Sequence, residues 1–148
     1  MLSGLVDRAL KTMEFFSHRN AVFEKYHGQS LFVDEYRTIA LQVPRQSGKT
    51  TELIKILESD PGSYIFLVHS RDAVLSNPDL RKAPHVIVNT KGSGGARGAD
   101  HRLGKKVFKG ILVDEPELQD KESIKWLKEG LIKKGMVSND FYILKLGS

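Results

Sequence analysis

Apolar residues fall at two different spacings along this chain, and the change from one to the other marks its elements. Leu5, Val6, Ala9, Leu10, Met13 and Phe16 recur with the period of a helix. After the polar break from Ser17 to Asn20, the set Ala21, Val22, Phe23 and Tyr26 continues that period. The spacing predicts two amphipathic helices, the second ended by Gly28, lying against a sheet. From Ile39 onward the pattern becomes one of short apolar runs bounded by turn residues: Ile39 to Val43, Tyr64 to His69, His85 to Asn89, Ile111 to Val113, and Phe141 to Leu146. Such runs read as buried strands. Between them, Thr51 to Ser59 reads as a helix with Leu53, Ile54 and Leu57 inward, stopped by Asp60-Pro61-Gly62. Ser70-Arg71-Asp72 starts a short helix that Asn77-Pro78 ends. Asp120 caps another carrying Ile124, Leu127 and Leu131 and stopped by Gly135, with Trp126 expected as core or partly exposed packing. Strands alternating with helices predict an α/β fold: a mostly parallel central sheet of about five strands flanked by helices.

The run ending at Val43 leads directly into Pro44-Arg45-Gln46-Ser47-Gly48-Lys49-Thr50 and then into a helix. Strand, tight loop and helix N-terminus is the context of a phosphate-binding loop. Backbone NH groups of the loop and of the first helical turn, Thr51 included, face an anion there, and Lys49 reaches the outer phosphates. Thr50 is then placed to ligate Mg2+. Val43 stands where the usual pattern has its first glycine. Taken alone, Gly-Lys-Thr is also compatible with a helix N-terminus bearing a solvated lysine.

Ile111-Leu112-Val113-Asp114-Glu115-Pro116 has the complementary form, an apolar strand ending in two carboxylates. Open parallel sheets bind ligands at the carboxyl ends of their strands. Asp114 can hold Mg2+ there through water, and Glu115 can accept a proton from water attacking a terminal phosphate. Helix capping would account for one carboxylate of the pair. Two lone polar residues are weaker candidates. Gln29 could read an adenine edge with its amide or be a loop residue in water. Ser148, after the last strand, could touch the terminal phosphate or be a frayed end.

From Thr90 to Lys109 the chain is Gly-rich and basic, with Lys91, Arg97, His101, Arg102, Lys105, Lys106 and Lys109, and reads as a long mobile loop. It is either a solvated linker or the place of a DNA contact and a charge-stabilising arginine, Arg97 or Arg102. The net charge of +5 in 148 residues points the same way, toward a polyanionic partner, without requiring one. That length suits one domain: a helical segment over 1–37 and a nucleotide-binding core over 38–148. No apolar run approaches the roughly 20 residues of a bilayer span, so no membrane partner is expected. The absence of cysteine excludes disulfides and thiolate metal sites and fits a reducing, cytoplasmic setting.

Pro44 to Thr50, Val68-His69-Ser70-Arg71, Ala96-Arg97-Gly98 and Ile111 to Pro116 together resemble the ATPase motor of viral DNA-packaging terminase large subunits, over roughly Gln29 to Ser148. The resemblance implies a RecA-like P-loop NTPase of minimal size, of the type with an additional strand and a catalytic glutamate. It implies Mg2+-dependent ATP hydrolysis coupled to double-stranded DNA. It also implies a homo-oligomeric ring, with docking on a portal and a place in the host cytoplasm. Arg45 would sense or stabilise the γ-phosphate, Arg97-Gly98 would match a recurrent Arg-Gly, and Leu146-Gly147-Ser148 would be a coupling segment. Terminases usually continue into a nuclease domain, which is not seen here, and no later strand follows to flank the loop strand. The sheet is therefore expected to be minimal or completed by the N-terminal segment or a partner. Alternative readings are a helicase-like ATPase, a small P-loop NTPase or kinase, and a catalytically weak module that binds DNA or a larger motor.

Overall fold

A computed structural model describes residues 2–92 and 95–148. Its centre is a five-stranded sheet in the order β1-β5-β4-β2-β3, parallel at every pairing. The strands are β1 (Thr38–Gln42), β2 (Tyr64–Val68), β3 (Val86–Val88), β4 (Phe108–Asp114) and β5 (Val137–Gly147). The helices are α1 (Leu2–Arg19), α2 (Ala21–His27), α3 (Gln29–Tyr36), α4 (Lys49–Ser59), α5 (Arg71–Leu75), α6 (Pro78–Lys82) and α7 (Lys121–Lys133). The expected mostly parallel sheet is thus entirely parallel, and β3 is shorter than the run that predicts it. Hydrogen bonds Phe66 N–His85 O and Asn89 N–Val68 O nevertheless continue the β2–β3 ladder past both ends.

The period-2 geometry of the strands divides the core into two layers. On β2, Ile65 and Leu67 join Ile111, Val113, Phe141 and Ile143 beneath α7, which contributes Ile124, Leu127 and Leu131. Tyr64, Phe66 and Val68 face the other way, with Leu112, Leu144 and Leu146, onto Leu53, Ile54 and Leu57 of α4 and Leu2 and Val6 of α1. Both faces being covered explains why the strands read as continuous apolar runs. No helix among the described residues is long and apolar enough to cross a membrane.

Three expectations need correction, and that for Asn77-Pro78 needs extending. Only part of the predicted α1 stripe is covered: Val6 and Met13 are buried, whereas Leu5 and Phe16 are exposed, and α2 buries no residue. Gln29 is not in a loop but opens α3, a helix with too weak a stripe to announce itself. Gly28, at φ +88°, ends one helix and precedes the next. Asn77-Pro78 stops α5 and also starts α6: the Asn77 side chain accepts from Asp79 N, and proline suits the first helical turn. The expected mobile stretch from Thr90 to Lys109 is exposed over most of its described residues but anchored in its middle. Ala96, Ala99 and Asp100 are buried, residues Ala99–Arg102 form a 3-10 turn, and Lys134 pairs with Asp100 at 2.7 Å. Ser93 and Gly94 of that stretch lie outside the described residues.

Two buried polar groups fix the loops relative to the sheet. Gln119, fully buried, donates from Nε2 to Leu67 O at 3.0 Å and to Asp114 O at 2.7 Å, and accepts from Asn89 Nδ2 at 3.2 Å. Asn89 Oδ1 in turn accepts from Ala96 N at 3.3 Å, so the ends of β2 and β4 and the basic segment share one network. Arg37, also buried, donates to Phe141 O at 3.1 Å and to Glu14 at 2.8 Å, clamping α1 to the middle of β5. Gln119→Leu is expected to lower stability in urea unfolding by roughly 1–3 kcal/mol for each carbonyl left without a donor. A loss below about 0.5 kcal/mol, the range of an ordinary surface change, would mean the network does not hold the strand ends.

Candidate phosphate-binding cleft

The loop after β1 and the acidic end of β4 meet because β5 lies between their strands. Its Gly147 carbonyl accepts from Val43 N at 2.8 Å on one side, and its Leu146 carbonyl accepts from Glu115 N at 3.0 Å on the other. The resulting cleft, about 660 Å³, is lined by Arg45, Gln46, Gly48, Lys49, Thr50, Thr51, His69, Glu115, Glu117, Leu118 and Ser148. It opens at the carboxyl end of the parallel sheet, where the strand ends leave a crevice.

Backbone conformation is unusual here. Among the described residues, the non-glycine residues at positive φ are Gln46 (+60°) and Glu115 (+54°), one on each wall of the cleft. Such conformations cost free energy and persist where surroundings impose them, which is commonly at functional sites. Gly48, at φ +87°, is the N-cap of α4 and supplies no capping side chain. The first NH groups of α4 are therefore left for a ligand, and the helix dipole makes an anion the favoured one.

Lys49 is buried, and its ammonium pairs with Glu115 Oε1 at 2.5 Å and also donates to the Ser148 hydroxyl. Thr50 Oγ1 donates to Asp114 Oδ2 at 2.7 Å. Asp114 Oδ1 and Ser47 Oγ are buried without a hydrogen-bond partner. A buried unpartnered carboxylate oxygen beside a threonine hydroxyl is a site short of a cation, and it fits Mg2+. That ion uses one or two carboxylates and takes its other ligands from water and phosphate. Among the described residues, no group of three or more His, Cys, Asp or Glu side chains is placed to hold a metal ion.

The two carboxylates are tuned oppositely. Burial raises the Asp114 carboxyl above its ordinary range, outweighing the Thr50 hydrogen bond and the Lys49 charge. Burial also works to raise Glu115, but hydrogen bonds with Glu117 and Lys49, together with the Lys49 charge, bring it below its ordinary range. Glu115 is therefore held ionised, whereas Asp114 would gain from a cation.

The structure brings Arg45, Gln46, Gly48, Lys49, Thr50, Thr51, Asp114, Glu115 and Ser148 to one place, with Ser47 in the loop beneath and Pro44 exposed at its start. Ser148 is tied down, its NH donating to Glu117 Oε1 at 3.3 Å and its hydroxyl lying 3.3 Å from both Glu115 oxygens. Gln29, on α3, is not among the lining residues. Neither is Arg97, whose guanidinium lies 4.8 Å from the Trp126 ring centroid on the α7 side; Trp126 is half exposed. Arg102 is also outside, donating to Gly95 O at 3.4 Å. His69 and Glu117 line the cleft although the residue-by-residue reading gave them no role. The available signal was position, since each follows closely on a strand end at the carboxyl edge.

Asp114 gives this cleft a pH signature. Because the folded value lies above the ordinary 3.8, ionisation costs the folded chain more than the unfolded one. Stability contributed by the neutral carboxyl is present below 3.8 and is lost as pH rises through the folded value. In Mg2+-free buffer, the unfolding free energy of Asp114→Asn relative to the parent should therefore increase as pH is raised from about 4 through that window. A difference that stays constant across the window would refute burial as the dominant influence on Asp114.

A scan against protein-family models, a search of curated proteins and a search of solved structures each give no match to this chain. Its functional reading therefore rests on the residues of the cleft.

Proposed function

We propose that this chain is a P-loop ATPase that binds Mg2+ and ATP in the cleft between the β1–α4 loop and the end of β4. The observation that carries the reading is the facing pair of contacts Lys49–Glu115 and Thr50–Asp114, with Asp114 Oδ1 left unpartnered beside the second. A lysine and a hydroxyl at a helix N-terminus, opposite two carboxylates of different tuning, divide the tasks of phosphate hydrolysis. Bound ATP and Mg2+ would supply a transferable phosphoryl group and neutralise its oxygens.

Lys49 would exchange its contact with Glu115 for phosphate oxygens, and Arg45 would face the outermost phosphate from the loop. Thr50 and Asp114 would hold Mg2+. Released from Lys49, Glu115 would accept the proton of the attacking water on a carboxylate oxygen, with Ser148 orienting that carboxylate. Lys49→Ala should abolish nucleotide binding or turnover. Glu115→Gln should still bind ATP with Mg2+ while turnover falls by about 100-fold or more. Equal loss of ATP affinity in both variants, measured by calorimetry, would remove the base role of Glu115.

We further propose that the hydrolysis serves double-stranded DNA, as in a terminase-like packaging motor. The support is the sequence resemblance and the basic segment, with Arg97 and Arg102 exposed outside the cleft of their own subunit. An arginine so placed would act only on a neighbour in a ring, where a guanidinium supplied in trans can raise phosphoryl transfer by about 1,000-fold or more. Phosphate release with and without duplex DNA tests this reading. DNA should stimulate it, the stimulation should weaken with salt, and mixing Arg97→Ala with Glu115→Gln protein should restore part of the activity. Absence of stimulation, with specific activity flat on dilution and no recovery in the mixture, would leave a self-contained ATPase using Arg45.

A further inference from the structure

Between α3, α7 and β5, on the sheet face opposite to α4, lies a second pocket of about 190 Å³ whose charge is unbalanced. Lys121, Lys125, Lys128 and Lys145 line it against one carboxylate, Asp34, and that carboxylate is already engaged by Lys128 at 2.6 Å. We propose that this pocket binds a single phosphate-sized dianion, held chiefly by Lys145 with Lys121 and Lys128.

Lys145 is the residue that calls for a ligand. It lies in β5, between β1 and β4, opposite Ala40 on one side and Val113 on the other. The residues two and four positions before it, Ile143 and Phe141, belong to the core beneath α7, so an apolar side chain would be expected in its place. Instead the position carries a half-buried ammonium with no hydrogen bond or ion pair to any described residue. Burial, reinforced by the like charges of Lys121 and Lys128 and only partly offset by Asp34, holds it below the ordinary lysine range. A dianion would offset both the desolvation and the repulsion. Lys121, Lys125 and Lys128 follow one another at spacings of four and three on α7, which puts them along one side of the helix.

Size narrows the ligand. The pocket has space for about six waters at roughly 30 Å³ each, and it is smaller than the roughly 300 Å³ at which sites for drug-sized ligands begin. Orthophosphate fits, as does the terminal phosphomonoester of a longer molecule whose remainder stays outside. The inference does not depend on the ATPase reading, because the pocket shares no residue with the phosphate cleft.

The test uses Lys49→Ala protein labelled with [13C]lysine, so that the proposed P-loop lysine is absent. Inorganic phosphate is titrated at ionic strength held constant with chloride. The Lys145 side-chain resonances should shift saturably, and the titration of Lys145 should move to higher pH. In Lys145→Met, at least ten times more phosphate should be needed to saturate the shifts of Lys121 and Lys128, while Lys145→Arg should stay nearer the parent. A short duplex with a 5′-phosphate, run beside its 5′-hydroxyl twin, distinguishes the sources. Competition by the phosphorylated duplex alone assigns the pocket to a phosphomonoester terminus, and competition by neither assigns it to the free ion. Shifts that do not saturate, a Lys145→Met protein that binds as the parent does, or equal competition by both duplexes would overturn the proposal.

Discussion

Everything in the cleft depends on β5 pairing with β1 and β4 at once. Ladder hydrogen bonding holds neighbouring strands about 4.8 Å apart, so one intervening strand sets a gap of roughly 10 Å between the loop strand and the acidic strand. A lysine from one side and a glutamate from the other can close that gap, as Lys49 and Glu115 do. Adjacent strands would crowd the loop against the carboxylates, and a second intervening strand would part them. The same pairing carries Gly147 into contact with Glu117, where a Cβ would lie 2.5 Å from a carboxylate oxygen. A side chain at this position would require the Glu117 carboxylate to move aside.

Charge in the cleft is arranged to be incomplete. Lys49 satisfies Glu115, and Thr50 satisfies one oxygen of Asp114, but the other oxygen and the Ser47 hydroxyl stay buried without partners. Leaving such groups unpaired costs about 1–3 kcal/mol each, a cost that a ligand reaching them would remove. With backbone strain at Gln46 and Glu115, this gives a site less stable by itself than the sheet supporting it. The support is correspondingly firm: Gln119 ties the ends of β2 and β4 together from beneath.

The two faces of the sheet differ in kind. The α4 face is closed by aliphatic side chains from α1, α4 and α6. On the α7 face the core is flanked by cations: Lys128 and Lys145 toward α3, and Arg97 over Trp126 on the outer side of α7. The basic surplus of the composition is thus partly concentrated around one helix, away from the phosphate cleft.

Local pattern was sufficient for the strands, for α4 and α7, and for the loop from Pro44 to Thr50, because period and turn residues act over a few positions. It also determined that Asp114 and Glu115 end a buried strand. What it left open was decided by contacts between distant segments. Leu5 and Phe16 share the helical period of Val6 and Met13, yet which side of α1 meets the sheet depends on where α4 already lies. The Gly-rich segment reads as mobile because glycine and lysine favour solvent, but buried Ala96, Ala99 and Asp100, with Asn89 and Lys134 as partners, anchor its middle. Gln119, Arg37 and Lys145 carry no periodic signal, since a single polar residue looks the same in sequence whether it is solvated or enclosed. Their roles follow from strand order, which only the assembled sheet sets, because hydrogen bonding between strands is indifferent to distance along the chain.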